Sequence, residues 1–487
     1  MADVLDILNI HKKFFIFMKR CDIIYYVSLC VGDGFDSRQP KGGGFMRLRL
    51  ISVLIAAVLC LALCGCDSFA SNTAELLSPP ELSGDISPIA EAIAKGAGGE
   101  YTLKYPSDGN FRSAVVQNDI NGDGRLEAFA FYSRKEKENG TDTVNMYISV
   151  ISFTGGEWVC ADKQKIVAGG VERIDFCDLD GDGTSEILVG WEIYGTSEMQ
   201  LAVYSFKDLK LTQRTMQKYS RFICCDLNDD GLSEILIIKF SASEQINTAG
   251  VYRLTEGGVT ELYSCELDKT VQSVGEPVIS HLSSGKPAAY IDEIKGVGAV
   301  TEVLFIEKNQ LVNPLMNPES RETTATLRSA EIGVKDINDD GIIEIPVQEN
   351  VPSITKSDLN EKLYLTNWCS YNGEALTNQM TAMINNNDGY YYILSQKWTG
   401  QIAVLKDTDK RLREIYLYDS ATSTAGEMLV SFMTVTRADW ESGKYEDSGY
   451  DKIAQNEISV YLCKVSDFAK SQGLTEEVIT KNFILTE

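Results

Sequence analysis

Asp178-Leu179-Asp180-Gly181-Asp182-Gly183-Thr184-Ser185-Glu186 puts side-chain oxygens at positions 1, 3, 5 and 9, a glycine at 6 and apolar residues from 10 onward. Three more stretches follow the same plan, beginning at Asp119, Asp226 and Asp336. Alternate oxygens on a tight loop converge on one point, which is how a hard cation such as Ca²⁺ gathers its roughly six to eight oxygen ligands. The inward side chains are Asp119, Asn121, Asp123 and Glu127 in the first loop and Asp178, Asp180, Asp182 and Glu186 in the second. They are Asp226, Asn228, Asp230 and Glu234 in the third, and Asp336, Asn338, Asp340 and Glu344 in the last. Position 7 varies in chemistry (Arg125, Thr184, Leu232, Ile342), as expected where only the main-chain carbonyl binds. Gly124, Gly183, Gly231 and Gly341 fall where the chain reverses, a place that favours a residue free to adopt positive φ. The spacing therefore predicts up to four Ca²⁺ ions.

Asp, Asn and Gly also build plain Asx turns between strands, and one copy would suit that reading. Four copies that each keep the oxygens, the glycine and the final glutamate favour metal, because carboxylates crowded together without a cation repel. No helix pattern flanks the loops, and position 12 is Ala130, Val189, Ile237 or Val347 rather than an acid, unlike an EF-hand. A strand follows each loop instead.

The loops start 59, 48 and 110 residues apart. The long interval holds two units, because Ser280 to Ile291 repeats the pattern without its acids and carries no metal expectation. A repeat of about 54 residues with about four strand-like runs is the pattern of a propeller blade. The fifth unit lacks a last strand before residue 389, and Phe111 to Asn118 is a strand ahead of the first loop. Pairing the two would close a ring and remove both open edges. The expected fold is mainly β: a five-bladed β-propeller over 100–388, or six or seven blades if C-terminal strands join, followed by a small α/β domain over 389–487. The loop with its following strand, as in Asp178 to Gly190, resembles the FG-GAP or VCBS repeats of integrin-like calcium-binding propellers. That resemblance implies adhesion, or carbohydrate or protein binding at a surface. The run Tyr390-Tyr391-Tyr392-Ile393-Leu394 followed by Trp398 resembles small PsbP-like α/β domains of bacterial lipoproteins.

Met46-Arg47-Leu48-Arg49 supplies a basic start, Leu50 to Leu63 an apolar run too short to span as a mature helix, and Leu63-Cys64-Gly65-Cys66 a closing motif. This resembles a bacterial lipoprotein signal over 46–65, and the resemblance makes Cys66 the lipid-bearing N-terminus on the extracytoplasmic face of the cell membrane. Residues 1–45 then read as a non-native upstream extension, and 66–99, rich in Ser, Ala, Pro and Gly, as a tether with a helix-like patch near Pro88 to Lys95.

Net charge is −25, and because residues 1–65 carry eight Lys/Arg against five Asp/Glu, the remainder carries −25 − 3 = −28. So acidic a chain disfavours nucleic acid as a partner. Seven cysteines follow Cys66 without CxxC spacing, and an odd number argues against a full disulfide framework. No G-x-S-x-G, H-E-x-x-H, Walker A or dinucleotide motif appears, and the one histidine after Cys66, His281, has no identifiable partner. Trp191, Tyr194, Trp368, Tyr371 and Trp398 offer faces to sugars or, more commonly at strand ends, fill the core. Three functions compete: a non-enzymatic, calcium-stabilised surface lipoprotein that binds an extracellular protein or glycan, a calcium-dependent polysaccharide-degrading enzyme, and a scaffold or sensor subunit of a membrane complex. The first is expected, since the acids are already committed to metal and make poor proton donors.

Overall fold

The apolar runs that follow the loops are continuous rather than alternating, as in Ile187-Leu188-Val189 and Ile235-Leu236-Ile237-Ile238, and a strand of that kind must be covered on both faces. The computed structural model describes residues 87–486 other than 139–140, 196–197 and 354–362. The expected extension 1–45, signal 46–65, Cys66 and most of the tether lie outside the described residues. The described chain is mainly β, arranged as six antiparallel sheets taken almost in sequence order.

Sheet 1 contains Thr102–Lys104, Val115–Asn118, Glu127–Glu138, Thr141–Thr154 and Glu157–Ile166. Sheet 2 runs through Gly170–Cys177, Glu186–Glu192, Met199–Lys207 and Lys210–Tyr219, and sheet 3 through Arg221–Cys225, Glu234–Ser241, Ile246–Thr255 and Gly258–Glu266. Sheet 4 is built on Pro287–Lys295 and Gly298–Glu307, sheet 5 on Ile345–Val351, Leu363–Tyr371, Leu376–Asn385 and Tyr390–Leu394, with Phe483–Leu485 at its edge. Sheet 6 joins Ile402–Asp407, Leu412–Asp419, Thr424–Thr436, Ser459–Val465 and Asp451–Gln455.

Period-two alternation then decides which core each residue enters. Ile187 and Val189 pack with Phe129, Phe131, Ile148 and Val150 of sheet 1. Leu188, between them, packs the other way with Phe222, Ile235 and Ile237 of sheet 3. Leu236 and Ile238 face Ala289, Ile291 and Leu304 of sheet 4. On the far side of sheet 4, Ala288, Tyr290 and Val303 meet Ile345 and Tyr371 of sheet 5. Leu365, Tyr390 and Tyr392 carry the series on to Ile415, Phe432 and Tyr461 of sheet 6. At the other end, helix α1 (Ser87–Ala97) lays Ile89, Ala92, Ile93 and Ala97 against Val115, Ala128, Ala130 and Tyr132 of sheet 1.

Two expectations change here. Phe111 to Asn118 does not pair with the fifth unit: its strand portion, Val115–Asn118, bonds antiparallel to its own neighbour, with Val116 opposite Phe129. The face of sheet 1 that would have met a fifth blade is covered by α1, so residues 87–97 form a packed cap rather than the end of a tether. The fifth unit finds its missing strand downstream in Tyr390–Leu394, where Tyr392 lies opposite Met383. The expected boundary at 389 thus falls between two hydrogen-bonded strands. Three further helices appear at Arg437–Glu441, Asp467–Ser471 and Glu476–Lys481, the last capped by Thr475, whose hydroxyl accepts from the Val478 N–H.

Candidate functional site

Each acidic loop leads into a strand of its sheet: Glu127–Glu138, Glu186–Glu192, Glu234–Ser241 and Ile345–Val351. The residue before position 1 lies opposite the position-9 glutamate: Asn118 with Glu127, Cys177 with Glu186, Cys225 with Glu234, and Lys335 with Glu344. The loop interior repeats bond for bond. Oδ2 of the first aspartate accepts from the position-6 glycine N–H at 2.9, 3.0, 2.8 and 2.7 Å in Gly124, Gly183, Gly231 and Gly341. The position-5 aspartate accepts from the position-7 N–H at 2.8 to 3.0 Å, in Arg125, Thr184, Leu232 and Ile342. Position 3 accepts from the position-5 N–H through Asn121, Asp180, Asn228 and Asn338. Side-chain oxygens of positions 1, 3 and 5 thereby brace each loop against its own main chain.

Two elements of the plan escaped the sequence reading. Position 2 is apolar (Ile120, Leu179, Leu227, Ile337), and its N–H donates to Oε2 of the glutamate at 3.3, 3.1, 3.3 and 3.0 Å. Three of these four side chains are buried, which nails the loop to the core beneath it. Position 4 is left-handed in every copy, at φ 70° for Gly122, 74° for Gly181, 60° for Asp229 and 59° for Asp339. Glycine and aspartate are residues that tolerate this region, so the Gly/Gly/Asp/Asp set at position 4 was a readable signal.

The second loop is the most concentrated. Carboxylate oxygens of Asp178, Asp180 and Glu186 lie within 4.8 Å of one another, the one such group among the described residues. Burial, reinforced by Asp180 and Asp182, pushes the Glu186 carboxyl up to about 7. Burial likewise raises Glu127, Glu234 and Glu344 above the usual carboxylate value. In the first loop Oδ1 of Asp119 is buried without a hydrogen-bond partner. An acceptor with no donor beside it, and oxygens crowded without a counter-charge, fit a hard divalent cation; the donor set is all oxygen, which suits Ca²⁺. Asp119, Asn121, Asp123, Glu127 and the Arg125 carbonyl would hold it in the first loop; Asp178, Asp180, Asp182, Glu186 and the Thr184 carbonyl in the second; Asp336, Asn338, Asp340, Glu344 and the Ile342 carbonyl in the last.

The loops also touch. The Ser185 N–H donates to the Ile120 carbonyl at 2.6 Å, linking the first loop to the second, and the Leu232 side chain lies against Gly181, linking the second to the third. The acid-free fourth unit closes as a short hairpin through Leu282 N–H to Lys286 O at 2.8 Å, and Ser280 donates to the carbonyl of Gly341 at 3.1 Å. His281 is exposed at that hairpin. Among the aromatic candidates Trp191, Trp368, Tyr371 and Trp398 are buried, and Tyr194 is 78% exposed. The seven cysteines from Cys160 onward are free thiols.

No protein-family model matches the chain, and no curated protein does. Among solved structures the chain is similar to the exotype rhamnogalacturonan lyase YesX, at 11% identity over 75% of this chain and 90% of that one, with a TM-score of 0.28. It is similar to the Bacillus licheniformis rhamnogalacturonan lyase PL11 at 13% identity over 68% and 77%, also at 0.28. Rhamnogalacturonan lyase YesW overlaps at 14% identity over 67% and 77%, again at 0.28. Overlaps this low do not establish a common fold or activity. Among the described residues no helix is long and apolar enough to cross a membrane.

Proposed function

We propose that this chain is a non-enzymatic, calcium-stabilised binding module, held at the outer face of a bacterial membrane by lipid on Cys66, with an extracellular protein or glycan as its partner. The observation that carries the reading is the bond-for-bond repetition of one oxygen-lined loop at Asp119, Asp178, Asp226 and Asp336. On this reading the sheets are blades of the integrin-like propeller kind, set in series and capped by α1 rather than closed by residues 115–118. The acids outside the loops favour binding over catalysis, since Glu293 and Glu302, neighbours inside sheet 4, are fully buried where no substrate reaches them.

A glycan partner has one local support. A cavity of about 210 Å³ beside the last loop is lined by Lys335, Trp368, Tyr391 and Asn386, with Lys335 Nζ 5.4 Å and 5.7 Å from the Trp368 and Tyr391 ring centres. Aromatic walls with a few polar groups suit a sugar. The test incubates the mature protein with a polysaccharide panel in calcium. Retention without product, weakened by Tyr391→Ala, supports binding; released oligosaccharide overturns the non-enzymatic reading.

A further inference from the structure

The strand after each position-9 glutamate is itself paired with the next, so one residue faces each glutamate across the sheet. Extending the register one step from Ala128↔Ile151, Ile187↔Tyr204, Ile235↔Tyr252 and Ile345↔Cys369 puts Ser152, Ser205, Arg253 and Ser370 in that place. Three loops thus face a small neutral hydroxyl, and Ser205 Oγ donates to Glu186 Oε1 at 3.0 Å. The third loop faces a guanidinium instead. Arg253 Nη2 donates to Asp230 Oδ2 at 2.6 Å and pairs with Glu234 Oε1. Asn228 Nδ2 donates to that same Glu234 oxygen at 2.9 Å, while the Leu227 N–H takes the other one.

The oxygens a metal would need in this loop are therefore already facing donors. Asp230 and Glu234 are two of its four side-chain ligands, and a guanidinium stays charged at any pH the protein meets. A divalent ion entering here would have to displace a tethered cation of like charge and strip it of both carboxylates.

We infer that Arg253 is the resident cation of the third loop, so that divalent metal binds at the loops beginning at Asp119, Asp178 and Asp336 and not at Asp226. The inference rests on reading the loops as metal sites. It makes the central sheet independent of calcium while its neighbours respond to it.

Equilibrium dialysis of the full chain against radioactive calcium tests both levels. The expected stoichiometry is three ions for the natural protein, four for Arg253→Ser and two for Ser205→Arg, which recreates the third-loop arrangement in the second. Four ions in the natural protein, or an unchanged three in a folded Arg253→Ser, overturns the role of Arg253 and leaves the other loops as metal sites. No bound calcium in any variant overturns the metal reading itself. If Arg253→Ser does not fold, hydrogen exchange of the natural protein in EGTA decides: the amides of Gly231 and Leu232 stay protected while those of Gly124, Gly183 and Gly341 lose protection, and equal loss in all four loops sinks the inference.

Discussion

Glu293 and Glu302 are carboxyls cut off from water inside sheet 4. Asn247 Nδ2 donates to Glu293 Oε1 at 2.8 Å, and the Asp268 N–H and Thr323 hydroxyl donate to Glu302 Oε1 at 3.0 and 2.8 Å, but the Oε2 atoms of both acids lack partners. Burial raises both carboxyls, and each resists the charge of its neighbours, Glu302 for Glu293 and Asp268 for Glu302. The folded state therefore keeps a proton that the unfolded chain releases above about pH 4.5. The unfolded state binds fewer protons over that range, so stability is complete below it and falls as pH rises toward the folded value. Glu293→Gln removes the ionisation, and its melting temperature should fall less steeply between pH 6 and pH 9 than that of the natural protein; parallel profiles would refute this. A second single-residue effect is conformational. Gly183 sits at φ 84°, and a Cβ there would meet nothing within 4 Å. Gly183→Ala should thus cost only the left-handed backbone penalty, about 1–2 kcal/mol, read as a lower urea midpoint at an unchanged slope.

Elements matter here because each strand serves two cores. Leu188 belongs to the core between sheets 2 and 3, its neighbours Ile187 and Val189 to the core between sheets 1 and 2. Leu188→Ala should cost about 2–5 kcal/mol, seen as a loss in the denaturation free energy. Helix α1 is the corresponding element at the end of the series. Its Gly96 closes on the strand Glu157–Ile166 so tightly that a Cβ would fall 2.5 Å from Cys160 Sγ. Ile93, 1% exposed, anchors the other side of that contact. Ile93→Asp should release the helix, and the amides of Glu127–Glu138 should then exchange faster while light scattering reports self-association through the bared sheet. Unchanged exchange would mean that α1 is not the cover that sheet 1 requires.

For the whole molecule the prediction concerns metal. A ligand that binds only the folded state adds about 2.7 kcal/mol per site at a hundredfold excess over its dissociation constant. With the expectation of several sites on one cooperative stack, EGTA should lower the melting temperature in low-salt buffer and added calcium should restore it, with elemental analysis finding calcium in the untreated protein. A melt indifferent to both would remove the basis of the proposed function. The serial cores support such coupling, since sheets 1 through 6 share five consecutive packing layers and loops 1 to 3 touch in turn.

What the amino-acid sequence determined by itself is whatever acts over a few residues. Four oxygens within nine positions, a glycine at the reversal and an apolar run behind them specify a loop and a strand without reference to any other part of the chain, and the loops and strands formed where those residues lie. The tertiary structure alone decided the relations between strands. Val115–Asn118 pairs with Glu127–Glu138 across its own loop, and α1 packs on Val115, Ala128 and Ala130 of that sheet. Tyr390–Leu394 joined sheet 5 because Leu376–Asn385 offered an adjacent edge across a four-residue turn. Arg253 is nineteen residues from Glu234 and looks like any other strand cation until antiparallel register sets it opposite that carboxylate. Register depends on the packing of both faces at once, which is a property of neighbouring sheets and not of any local run of residues.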